Sequence, residues 1–204
     1  GNNMISASIV GATGYVGEEL VRILSGHEFT KIVGVTSQHY IGQKIQDVFP
    51  NLRKKIDLCC EELDIKKIGE KSDIIFLSLP HGHSATFTKE LIPYSKKVID
   101  MGADFRFDSK DVYEEWYKVE HTAPELIGEA VYGLPEINKS KIKDARIIGN
   151  PGCYPTSIIL GLAPVLKSGI VEGDSIIVDS KSGISGAGRS ASVPNLFAEI
   201  YGNT

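Results

Sequence analysis

The stretch Ile5-Ser6-Ala7-Ser8-Ile9-Val10-Gly11-Ala12-Thr13-Gly14-Tyr15-Val16-Gly17 decides the fold. Ile5 to Val10 is short and apolar, with β-branched residues, and runs directly into three glycines spaced G-x-x-G-x-x-G. Beyond them Leu20, Val21 and Leu24 recur at helical spacing with Glu18, Glu19 and Arg22 between, and Ser25-Gly26 supplies a stop. Lys31 to Thr36 then reads as a second strand, so the chain opens on a βαβ unit with a parallel sheet. Glycines at such a turn let the backbone approach a pyrophosphate, which the helix N-terminus holds through its free N–H groups and dipole. A glycine triplet is weak alone, and the G-x-G-x-x-G form is commoner, but the flanking strands and helix supply the required setting. The reading is a dinucleotide site.

The end of the second strand refines it. Thr36-Ser37-Gln38-His39 carries no Asp or Glu where an NAD site usually holds the ribose hydroxyls, and hydroxyl and amide side chains there, with Lys44 downstream, suit a 2′-phosphate. NADP is the expected cofactor. Gly42 to Lys55 reads as an irregular surface excursion, Ile56 to Cys60 as a strand and Glu61 to Gly69 as a charged helix. Asp73 to Leu79 is a buried strand that ends in Pro80-His81-Gly82-His83-Ser84, at the carboxyl edge where doubly wound sheets place ligands. His81 and His83 are either acid-base groups or walls of a pocket.

A helix over 85–94 and a strand over 97–101 continue the alternation. The exit loop Gly102-Ala103-Asp104-Phe105-Arg106-Phe107 sets an Arg between two aromatics, where its planar fork either grips a phosphate or carboxylate or pairs with Asp104 or Asp108. Ser109 to Glu120 reads as a helix and Val131 to Glu136 as a turn. Arg146-Ile147-Ile148 then ends a strand and leads into Gly149-Asn150-Pro151-Gly152-Cys153-Tyr154-Pro155-Thr156. Pro155 suits the first turn of a helix, which places Cys153 at a helix N-terminus, where a thiolate is favoured. The plain alternative is a small buried residue in a turn. Ser157 to Leu166 is a helix that Pro164 kinks or shortens, Ser175 to Ser180 a strand, and Lys181 to Arg189 a loop rich in glycine and hydroxyls that either wraps phosphates or merely connects.

Composition bounds the partners. The 204 residues are 42% hydrophobic and 24% charged with a net charge of −4, so neither nucleic acid nor a membrane surface is the expected partner, and a small molecule is. No apolar run reaches the roughly 20 residues of a membrane span. Gly1-Asn2-Asn3-Met4 lacks the basic and apolar regions of a signal peptide. Adjacent Cys59 and Cys60 have neither disulfide nor metal-site spacing, so the expected compartment is the cytoplasm and no metal is implied.

Gly11 to Gly17, Gly149 to Thr156 and Ser182 to Arg189 together resemble the N-acetyl-gamma-glutamyl-phosphate reductases of arginine biosynthesis, within the wider aspartate-semialdehyde dehydrogenase superfamily. Leu79-Pro80-His81-Gly82, Asp104-Phe105-Arg106 and Tyr132-Gly133-Leu134-Pro135-Glu136 extend the likeness over nearly all the chain. The resemblance implies a Rossmann-type doubly wound parallel sheet over residues 1–150, followed over 151–204 by the beginning of a second α/β (α+β) catalytic and dimerisation domain. It implies Cys153 as the nucleophile on an acyl phosphate, Arg106 on the phosphate, and Asn150 with backbone N–H groups at the oxyanion. NADP(H) is then expected at Gly11, Thr13, Gly14, Tyr15, Val16 and Gly17, with Ser37 toward the 2′-phosphate, Pro80 at the edge, and Ser182 and Gly183 toward the pyrophosphate or nicotinamide.

Three choices stay open here: acetylglutamyl, aspartyl or acetyl-aminoadipyl phosphate as substrate; Gln38 where relatives often carry Arg; and a noncatalytic NADP-binding module. Tyr154 favours the acetylglutamyl branch. The family's acid-base His finds no counterpart between Ser190 and Thr204, so these residues alone are expected to turn over poorly, and the complete protein to be a homo-oligomer.

Overall fold

Along the first strand, β1 (Ile5–Val10), Ile9 and Val10 point to opposite sides, and both are completely buried. A sheet that is apolar on both faces needs a helical layer on each, which is the reason for the doubly wound arrangement. The computed structural model describes residues 4–189, so the terminal segments, including the histidine-free stretch 190–204, lie outside the described residues.

The chain divides into two units, at Pro151 and Gly152. The first holds β1, α1 (Tyr15–Ser25), β2 (Thr30–Val35), the single turn α2 (Ile45–Val48), α3 (Ile65–Lys71), β3 (Ile74–Leu77), α4 (Ser84–Leu91), β4 (Lys97–Asp100), α5 (Lys110–Tyr117), β5 (Ala130–Tyr132), α6 (Pro135–Asp144) and β6 (Ile147–Gly149). The six strands form one sheet in the order β2-β1-β3-β4-β6-β5, every pairing parallel. On one face Ile9, Val21, Val35, Ile45, Leu52 and Cys60 pack together; on the other, Val10, Ile68, Ile75, Leu77, Leu91 and Val98. The Rossmann-type parallel sheet expected from the sequence is therefore present.

The structure corrects several expectations about single elements. Ile56 to Cys60 is no strand: it makes only the isolated bridge Lys44↔Cys59, because its apolar residues turn into the cluster around Cys60. The helix expected over 61–69 begins at Ile65, where the Asp64 carboxylate accepts the Lys67 N–H at 2.9 Å and caps it. Val131-Tyr132, read as part of a turn, is the edge strand β5, whose Val131 pairs with Ile148. Pro135 then starts α6.

The second unit contains α7 (Cys153–Lys167), which keeps Pro164 within it. Ser175 to Ser180 does not form the expected strand; among the described residues no other strand of this unit is there to pair with it, and Ile177 stays 97% exposed. A short 3₁₀ turn, Ile184–Ala187, closes the described part of this unit.

Candidate active site

All six strands run the same way, so their exits gather at one edge, and the crevice between β1 and β3 is where the order of the strands reverses. Gly11 takes φ +77°, and a Cβ there would stand 2.2 Å from Ser78 O on the β3 exit, so only glycine allows these two exits to touch. Gly14 precedes α1 and no side chain caps that helix, which leaves its first turn suited to an anion. A cavity of about 700 Å³ opens at this point. Gly11, Thr13 and Gly14 form its floor, Thr36 to His39 with Ile41 one wall, and Ser78, Leu79 and Pro80 with His83 and Phe87 the other.

Ser37 is buried at the rim. Its Oγ accepts the N–H groups of His39 and Tyr40, each at 3.3 Å, and lies 2.9 Å from Thr13 Oγ1. With both N–H groups donating to Ser37, its own proton goes to Thr13, and the Thr13 hydroxyl proton is left for a ligand. Ser37 is held from behind: its N–H donates to Glu61 O at 3.2 Å, and Glu61 is paired with Lys67 at 2.7 Å and with Lys71. Burial pushes the Glu61 carboxyl up, but the bonds from Lys67 and Lys71 outweigh it and leave it below its ordinary value.

Of the residues expected at the dinucleotide, Gly11, Thr13, Gly14, Ser37 and Pro80 line this cavity. Tyr15, Val16 and Gly17 sit in the first turn of α1, with Tyr15 and Val16 partly exposed and Gly17 buried. Glu62, Leu63 and Phe87 line the cavity as well and had no sequence signal, since a turn and a helix bring them in from distant positions.

A second group forms at the exits of β4 and β6. Gly149 presses so closely on the β4 exit that a Cβ would lie 2.1 Å from Phe105 O. Arg106, half-buried, donates from Nε to Asn150 O at 2.8 Å and from Nη2 to Met101 O at 3.2 Å. Neither Asp104 nor Asp108 pairs with it, and no ion pair to Arg106 occurs among the described residues. Asp104 is already satisfied: Oδ1 accepts from Gly82 N (3.0 Å) and Tyr113 OH (2.9 Å), and Oδ2 from Ala85 N (2.9 Å). Burial, followed by the Asp104 charge, pushes the Tyr113 hydroxyl far above its ordinary value, so it remains a donor. His121 Nδ1 accepts the Ala123 N–H at 3.2 Å, which leaves Nε2–H to donate to Asp104 O at 2.6 Å. Asn150 is fixed through its backbone, while its side-chain amide donates to Pro151 O at 3.3 Å.

In the second unit Cys153 is the first residue of α7, exposed, with Gly152 as an N-cap that offers no side chain. The Cys153 sulfur lies 3.6 Å from Ser182 Oγ, and Ser157 Oγ lies 2.8 Å from Ser180 Oγ, so the segment before Gly183 runs beside the start of the helix. Cys60, by contrast, is buried in the core, where desolvation raises its thiol. Among the described residues no three His, Cys, Asp or Glu side chains are grouped to hold a metal, and no helix is long and apolar enough to cross a membrane.

Comparison with known proteins places this geometry in a family. Residues 6–145 match the family described as semialdehyde dehydrogenase, NAD binding domain, and residues 153–204 match its dimerisation domain. The chain is 50% identical over 200 residues to an N-acetyl-gamma-glutamyl-phosphate reductase of Desulforudis audaxviator (strain MP104C), covering 98% of this chain and 58% of the relative. It is 51% identical over 199 residues to one from Pelotomaculum thermopropionicum (strain DSM 13744 / JCM 10971 / SI), covering 98% and 57%. The chain thus spans little more than half the length of these relatives. Among solved structures, aspartate semialdehyde dehydrogenase II of Vibrio cholerae complexed with ASA shares the fold with a TM-score of 0.59 at 19% identity, over 81% of this chain and 47% of that one. The Candida albicans aspartate semialdehyde dehydrogenase with NADP gives 0.55 at 16%, over 81% and 48%.

Proposed function

Because the chain belongs to the semialdehyde dehydrogenase family, whose NAD binding domain it carries over residues 6–145, we propose that the complete protein reduces N-acetyl-gamma-glutamyl phosphate to N-acetylglutamate semialdehyde in arginine biosynthesis. Residues 1–150 bind NADP(H) and 151–204 begin the catalytic domain, through which the complete protein forms a homo-oligomer in the cytoplasm.

The observation that carries the reading is Arg106. A half-buried guanidinium held by two neutral carbonyls, with no acid paired to it among the described residues, is a charge awaiting an anion. Nε and one Nη2 proton are spent on the carbonyls, so the Nη1 edge remains for the phosphate. The Cys153 sulfur, at the first residue of a helix of 15 residues, attacks the acyl carbon as the thiolate; a C–S bond forms, the C–O bond to phosphate breaks, and the phosphate takes one proton from solvent to leave as the dianion. Asn150 and the backbone N–H groups after it take the oxyanion. NADPH, when bound, supplies the hydride that converts the thioester to the aldehyde and frees the thiolate. Gly11, Thr13 to Gly17 and Pro80 hold the dinucleotide, Ser37 and Thr13 face its 2′-phosphate, and Ser182 and Gly183 border its reactive end.

The test is a substrate panel with the complete protein, following NADPH oxidation. The acetylglutamyl substrate should be preferred over aspartyl phosphate and acetyl-aminoadipyl phosphate, and Cys153→Ser should abolish turnover. Preference for either other acyl phosphate, or an undiminished rate in Cys153→Ser, overturns the reading.

A further inference from the structure

Asp100 ends β4 wholly buried, and taking a carboxyl out of water costs stability. It makes two bonds at the crossing of two loops. Its Oδ1 accepts the Gly102 N–H at 2.8 Å, and its main-chain oxygen accepts the Asn150 N–H at 2.8 Å. Those anchored segments are the ones that hold Arg106. Met101 O, between Asp100 and Gly102, takes Nη2, while Asn150 O takes Nε. The Met101 carbonyl therefore sits on the peptide whose N–H the Asp100 side chain accepts, while Asn150 is tied one peptide before its own carbonyl and through the Asp100 main chain.

The other carboxyl oxygen, Oδ2, is buried without a well-formed hydrogen bond among the described residues, as are the hydroxyls of Ser84 and Thr88 on α4. Burial pushes the carboxyl up to about 6; the nearby Ser84 hydroxyl and the Gly102 N–H pull the other way, as does the Arg106 charge more weakly, while Asp104 adds to the rise. An apolar residue at this place would avoid the desolvation cost, but it would lose the Gly102 bond and with it the shape of the loop.

We propose that Asp100 is a positioning residue of the anion subsite, its side chain fixing, through the Gly102 N–H, the Met101 carbonyl that helps to aim Arg106 at a phosphate group. The inference rests on the reading of Arg106 as that grip.

The complete protein assayed in the oxidative direction, with aldehyde, NADP and inorganic phosphate, provides the test. Asp100→Ala should raise the KM for inorganic phosphate about tenfold or more, as expected when a binding group is displaced by a fraction of an ångström, with the NADP KM held within about twofold. Asp100→Asn keeps an oxygen for the Gly102 N–H and should bring the phosphate KM back to within about threefold of the parent. Gly102→Ala is the second variant and decides if Asp100→Ala does not fold: its Cβ would lie 3.0 Å from Asp100 Oδ1, so it crowds the carboxyl without removing it and should give the same selective rise. An unchanged phosphate KM in Asp100→Ala and Gly102→Ala, or phosphate and NADP KM values rising together, overturns the proposal. Arg106→Lys separates the two levels. If it leaves the phosphate KM unchanged, the anion reading itself fails; if it raises that KM while Asp100→Ala and Gly102→Ala do not, only the role of Asp100 fails.

Discussion

Ser182 Oγ stands 3.6 Å from the sulfur of Cys153, at the first residue of α7. The Ser182 hydroxyl also donates to Gly183 O at 3.3 Å, and because it has a single proton, it reaches the sulfur as a donor only by turning from that carbonyl. At an exposed position such a bond is worth about 0.5–1 kcal/mol. Ser182→Ala should remove this contact and slow iodoacetamide alkylation of Cys153 at neutral pH roughly two- to fivefold. Equal alkylation rates for the two proteins would remove Ser182 from this role.

The proposed place of Ser37 beside the 2′-phosphate can be tested with a charge. An Asp at its place can still accept the N–H groups of His39 and Tyr40, so the turn survives, while its charge opposes a 2′-phosphate. Ser37→Asp should weaken NADPH relative to NADH by about 1–2 kcal/mol, roughly 5- to 30-fold in the ratio of dissociation constants. Fluorescence titration with each dinucleotide measures it, and an unchanged ratio counts against Ser37 as the phosphate contact.

Gly149 leaves no room for a methyl group, since Phe105 O would stand 2.1 Å away. Gly149→Ala must push the β4 and β6 exits apart or fail to pack, at a cost of about 2–3 kcal/mol. Urea unfolding should show a lower midpoint, together with weaker phosphate binding because Arg106 is held across the same junction. A midpoint equal to that of the parent would show that the junction yields freely.

Two buried or paired carboxyls give opposite pH dependences. Asp100 is raised by burial from 3.8 to about 6, so the folded state holds its proton more tightly than the unfolded chain does. Its contribution is complete below about pH 4 and is lost as pH rises through 6, amounting to about 3 kcal/mol. Asp73 is lowered to about 2, first by the Lys96 bond and then by those from Ser6, so its contribution is present above pH 4 and lost as pH falls toward 2. Urea midpoints between pH 4 and 7 should fall in the parent and stay nearly level in Asp100→Asn. Parallel curves would show that Asp100 does not titrate in that window.

The fold was legible where local pattern and tertiary setting agree. Ile5 to Gly17 reads as strand and phosphate turn because a buried parallel strand must be apolar and a close crossing must be glycine. Val131-Tyr132 was not legible: it pairs because Ile148 lies beside it, and its own residues are bounded by turn formers. Ser175 to Ser180 errs the other way, with a strand composition and no strand alongside among the described residues. The same division holds for the site. Gly11, Thr13, Gly14 and Ser37 announce themselves, whereas Glu62, Leu63 and Phe87 join the cavity only through the path of the chain. The grip on Arg106 is invisible in sequence because its acceptors are main-chain carbonyls, which every residue has.

The contact between Gly149 and Phe105 is made by main chain on both sides, so exchanging the Phe105 side chain leaves the approach to its carbonyl in place. It acts as a fixed datum from which Arg106 and Asn150 are both measured. If Arg106 holds a phosphate group as proposed, that end of the site has no slack to give. Attempts to retarget this scaffold should treat the β4–β6 junction as a ruler and leave it untouched.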